Sequence, residues 1–308
     1  MARKPLIANT WVRVVLFLVS LQLVYSLVAM LTEGGLELAA HEKPVMTNFK
    51  ALWQNFGKRN YTIPLLVSIV APLLTVFLFR RAIDKRSLTS LGLTFRNHTS
   101  SAGAGLFMGL LLLGTGTLIL LAAGNLEWTD ISFRPQQLFV DLGLMALIAL
   151  AEELCFRGYV LSNLLPVSNK WIALILSALV FSLFHINNPG MNALPAINLF
   201  LAGLLLGVNY LYTQNLWFGI LLHFIWNFYM GAILGYKVSG LQFQSLFHQS
   251  LTGAPWLTGG GFGFEGSAVA TGLCLLAVAV LIFVYEKKTS PAAGTPKVKP
   301  ATEDAVPV

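Results

Sequence analysis

Glu152-Glu153-x-x-x-Arg157, Phe181-x-x-x-His185 and His223-x-x-x-Asn227 set ionisable and amide side chains inside three otherwise apolar stretches. Such groups are costly in lipid, so a chain keeps them there mainly where they pair or do chemistry. On a helix Glu153 and Arg157 are an i,i+4 pair on one face, in the favourable order. Arg157 can neutralise Glu153 and brace a site. Glu152 points about 100° away from Glu153, as the helical period requires. It has no local partner and is free to take a proton from water. His185 lies one turn after Phe181, whose ring can fix the imidazole rotamer. His223 and Asn227 share a face and can donate hydrogen bonds to a tetrahedral oxyanion.

Two ways of activating a water fit these residues. Glu152 can act as a general base with His185 orienting the water or sharing the proton. Alternatively Glu152, His185 and His223 can hold Zn²⁺, whose open position would acidify a bound water. The spacing is not HExxH, and nothing in the sequence chooses between the two. Cys155 and Cys274 both fall in apolar runs and form no CxxC, so neither a disulfide framework nor a zinc knuckle is implied. Only Arg157 stands near Cys155 to lower its pKa, a poor basis for a thiol nucleophile.

The elements that must position these residues are membrane helices. Only 11% of residues are charged, against about 25% in a soluble domain, and mean hydropathy is +0.71. The expected fold class is all-α, a polytopic membrane helical bundle. Runs long enough to span lipid predict about eight helices, at Val12–Leu31, Ile63–Phe79, Ala102–Ala123, Leu138–Leu161, Trp171–Ile186, Leu194–Tyr212, Leu216–Leu234 and Ala268–Tyr285. Residues 1–288 are expected to form one membrane domain with its motif-bearing core at 138–267, and 289–308 read as a disordered cytoplasmic tail. Glu33–Asn60 can hold a short interfacial helix, and Leu241–Gly263 reads as a loop. The first run is longer than a signal-peptide core and reads as a retained helix.

The formal net charge is +7, with the positive residues in both tails and one early loop. That distribution sets membrane orientation, with both termini expected in the cytoplasm, and argues against nucleic-acid binding. The depths conflict at one point. If Leu138 and Trp171 start their helices at opposite faces, Glu152 and His185 differ in depth by roughly 12 Å in a core of about 30 Å.

Glu152–Gly158 resembles the EExxxRG signature of the CPBP intramembrane proteases, also called the CAAX protease or Abi family. Phe181–His185 resembles its FxxxH motif and His223–Asn227 its HxxxN motif, in the same order. Gly261–Ser267 is similar to a Gly-Glu-Gly segment common before the last helix of bacterial members. The resemblance implies a multi-pass membrane endopeptidase, expected in a bacterial cytoplasmic membrane, acting on a membrane-associated protein or peptide. It implies Glu152 as the water-activating base assisted by His185, Glu153 and Arg157 as the brace, and His223 with Asn227 as the oxyanion site. Members are usually called metalloproteases, so Zn²⁺ is the implied cofactor, although a metal-free glutamate-activated water has also been argued for the fold. Two other readings stand beside this one: a proton-coupled transporter, for which inverted repeats are expected, and a non-catalytic scaffold or immunity protein.

Overall fold

The computed structural model describes residues 4–39 and 62–289. Eight long helices follow the predicted runs: α1 (Thr10–Ala39), α2 (Thr62–Leu78), α3 (Thr99–Ala122), α4 (Pro135–Glu153), α5 (Lys170–Phe184), α6 (Ala193–Thr213), α7 (Trp217–Asn227) and α8 (Ala268–Thr289). Helix α1 runs past Leu31 to Ala39. The remainder of the proposed interfacial segment and the tail after Thr289 lie outside the described residues. Among the described residues four helices are long and apolar enough to cross a membrane by themselves, namely α3, α6, α8 and the Thr10–Val28 part of α1. Their outward faces carry exposed Leu23, Leu118, Leu276 and Phe283, side chains that need lipid as solvent.

Three helices end in π-helical turns. Leu154–Leu161 continues α4, Phe228–Ile233 continues α7 and Phe79–Ile83 continues α2. Two of these follow directly on motif residues, where the wider i→i+5 turn is most often found at functional sites.

Small residues bring the site helices together. Ala102, Gly105 and Gly109 form a buried stripe on α3 against α7. A Cβ at Gly105 would collide with the Phe218 carbonyl, so only glycine permits this approach, as in small-xxx-small membrane packing. Helix α7 also packs on α4, and it buries Phe218, Leu222, His223, Trp226 and Asn227. On the other side, α5 packs on α6, with Gly203 close enough that an added Cβ would stand 2.8 Å from Ala178 Cα. Asn169 caps α5 by accepting from the Trp171 N–H.

The expected loop at Leu241–Gly263 is not wholly irregular. It contributes β2 (Phe247–Leu251), paired antiparallel with β1 (Leu126–Ile131), with Leu126 opposite Leu251 and Ile131 opposite Phe247. Each strand is short and its partner is remote in sequence, so neither run carries a local signal of pairing. Helices still dominate, and the two-stranded sheet joins the segment after α3 to the one before α8.

The conflict in depth disappears once the hairpin is taken as the reference. Helix α4 with its π-helical extension and a last turn at Ser162–Leu164 reaches beyond Leu161, and the chain then reverses at Pro166–Asn169 into α5. Glu152 and His185 each lie roughly 20 Å along their own helices from that turn, at 1.5 Å per residue. They therefore meet at one level.

Candidate active site

Glu152, His185, His223 and Asn227 line one cavity of about 310 Å³. The Nε2 atoms of His185 and His223 each stand 3.8 Å from Glu152 Oε2. The opposite ring nitrogens fix the tautomers. His185 Nδ1 lies 2.8 Å from the Phe181 carbonyl oxygen, and His223 Nδ1 lies 3.1 Å from Glu153 Oε1. Both of those oxygens only accept, so each Nδ1 carries the proton and donates it. In the neutral rings both Nε2 atoms are then bare acceptors. Glu152 Oε2 is itself buried without a hydrogen-bond donor. Three acceptors thus converge on one small space, an arrangement that calls for a group with two hydrogens or for a cation.

Glu153 has the separate role expected of it and one more. Its side chain is fully buried, and Arg157 donates to Oε1 at 2.8 Å. Arg157 also donates to the Gly203 carbonyl at 3.1 Å, and its guanidinium lies 4.5 Å from the centre of the Phe181 ring. The same ring lies 4.8 Å from the His185 ring, so Phe181 supports both the brace and the imidazole. The other Glu153 oxygen, Oε2, faces Gly219, where an added Cβ would sit 2.8 Å away. What the spacing did not reveal is the bond from His223 to Glu153. It orients the His223 ring so that Nε2 faces Glu152, whereas the sequence pairs His223 with Asn227 alone.

A divalent metal finds suitable donor chemistry in two imidazoles and a carboxylate. The 3.8 Å separations from Glu152 are wider than the roughly 3.4 Å between ligands of a tetrahedral zinc with 2.0–2.1 Å bonds. Among the described residues no group of three or more His, Cys, Asp or Glu stands in a metal-holding arrangement.

Gln22 and Tyr25, singled out by no motif, reach the cavity from α1, and Trp226, Ser239 and Glu265, the last from the Gly261–Ser267 segment, form part of its wall. The Glu265 carboxylate is buried, which pushes its pKa above the ordinary carboxylate value. The Ser239 N–H and hydroxyl act in the opposite direction.

The model of a family described as Rce1-like, type II CAAX prenyl endopeptidase, matches residues 134–229. The matched stretch starts at the head of α4 and ends just past α7, so it contains all six residues of the predicted site. No curated protein and no solved structure matches the chain.

Proposed function

We propose that this membrane protein, whose residues 134–229 belong to the CPBP family of CAAX-type intramembrane proteases, is an endopeptidase cutting membrane-associated proteins or peptides. The observation that carries the reading is the convergence of Glu152 Oε2 with two bare imidazole nitrogens, each 3.8 Å away. A water there would donate one hydrogen to Glu152 and the other to a histidine. Its oxygen lone pair is left to attack a peptide carbonyl.

Glu152 takes the proton as the C–O bond forms. Asn227 lines the same cavity, and its side-chain N–H donates to the oxyanion of the tetrahedral intermediate. Glu152 then passes that proton to Nε2 of His223, 3.8 Å away, which adds a second donor. The proton then passes to the leaving amine as the C–N bond breaks. Glu153 holds the His223 ring and Arg157 holds Glu153, so the brace keeps the imidazole aimed through the reaction. If Zn²⁺ is taken up, Glu152, His185 and His223 would hold it, and it would supply a more acidic bound water.

The test is a comparison of peptide termini in host membranes carrying the wild type or His185→Ala. Fragments with new termini are expected only with the wild type. Identical fragment sets would contradict the reading. Activity of the purified protein on the fragment's parent is expected to survive exhaustive chelation. A loss restored by Zn²⁺ would assign water activation to a metal on the same three side chains.

A further inference from the structure

Glu265 occupies the cavity wall but has no part in the reaction above. It sits in the turn Phe264–Gly266 just before α8 and is buried. Its carboxylate gathers three donors from two separate segments. The Ser239 N–H and hydroxyl donate to Oε2 at 2.7 and 3.0 Å, and the Trp226 indole N–H donates to Oε1 at 3.2 Å. Asn198 of α6 donates to its backbone carbonyl at 2.7 Å. Among the described residues Glu265 forms no ion pair, so its charge is met by these neutral donors.

The segment it holds is conformationally unusual. Ser239 has φ +48° and Gly240 has φ +86°, the left-handed region that a serine seldom adopts. Next to them, the Ser239 carbonyl accepts from Asn188 at 3.0 Å and the Gly240 N–H donates to Phe262 at 2.9 Å. Asn188 belongs to the turn that follows His185 directly. The Val238–Leu241 turn is therefore clamped between the turn bearing the His185 ring and the segment bearing Glu265. Val238, Ser239 and Leu241 face the cavity.

We propose that Glu265 is a positioning residue that locks the Val238–Leu241 turn and Trp226 into the wall along which the substrate chain lies. The inference rests on the endopeptidase reading for what the wall binds, but the lock itself does not. A carboxylate suits the task because one group can accept from both donors of Ser239 while also holding the indole. An amide at this position has one acceptor oxygen and would set an N–H against an N–H.

The test uses the full chain in lipid nanodiscs with Cys155→Ala as background. Cys274, buried and lining the cavity, is then the single thiol, and its rate of modification by a charged methanethiosulfonate reports opening of the wall. Glu265→Gln is expected to label at least about tenfold faster, the factor that losing a hydrogen bond to a charged group implies for an opening equilibrium. Ser239→Ala, a milder change, is expected to shift the rate in the same direction, and the double variant to gain less than the two effects combined. On a peptide cut by the wild type, KM is expected to rise with kcat near its original value. A residue that only supports folding would lower the active fraction and kcat while leaving KM alone. Unchanged labelling and unchanged KM in both single variants would overturn the proposal. If no peptide is cut by any form, the endopeptidase reading fails and the labelling rates alone decide the lock.

Discussion

Arg157 is fully buried beside Glu153, and the pair is the most exacting electrostatic feature of the site. Breaking such a pair strands a charge, at a cost of about 3–5 kcal/mol. Glu153→Gln is therefore expected to lower stability by that order in a denaturation assay in detergent. It should also impair turnover, because the His223 ring loses the acceptor that aims it. Stability equal to the wild type would refute the brace. Glu153 with Arg157 and His223 with Asn227 were legible because each polar pair lies one helical turn apart, and Glu152 and His185 because each sits in an otherwise apolar run. The His223–Glu153 bond spans two helices, and the Glu265–Ser239 contacts join loops, so no local pattern announces either. Tyr25 and Gln22 were equally hidden, since no motif residue lies near them in the sequence.

At the scale of elements, the site depends on how closely α3 supports α7. Gly105→Leu would drive a side chain into the Phe218 carbonyl and push α7 away from α3. It is expected to destabilise the protein by at least about 1–3 kcal/mol, the range for overpacking, and to reduce activity. Gly114→Leu on the same helix meets nothing within 4 Å and serves as the control, with stability and activity kept. Parallel melting curves for the two variants check this, and equal losses would show that the close approach at Gly105 is not responsible. Hydrophobic run length located the long helices seen among the described residues. It could not reveal the π-helical turns, which arise where the backbone yields to tertiary packing. It also misjudged depth, since it fixed helix starts at membrane faces instead of at the α4–α5 reversal. The β1–β2 pair escaped for a related reason: strand pairing across remote segments leaves no period in either one.

For the whole molecule, helix length and cavity position are linked. Helix α5 has 15 residues and is about 22 Å long, shorter than a hydrocarbon core of about 30 Å. With its charged, half-exposed Lys170 end at a headgroup surface, its end at His185 and the following turn would lie within the apolar layer. Irregular backbone is tolerated there only where protein or a water-filled space surrounds it. The cavity and the clamped turns around Asn188, Ser239 and Phe262 supply those surroundings. Among the described residues four helices are long and apolar enough to span by themselves, while α4, α5 and α7 carry residues of the proposed site.

The most direct measurement is single-turnover cleavage of an identified substrate by Glu152→Gln in nanodiscs, alongside its melting temperature. The replacement keeps shape and removes the base. The rate is expected to fall at least about 100-fold, the low end for general-base catalysis, with melting unchanged because Glu152 makes no buried ion pair with Arg157. Cleavage at the wild-type rate by a normally folded variant would contradict the assignment of Glu152 as the group that activates the water.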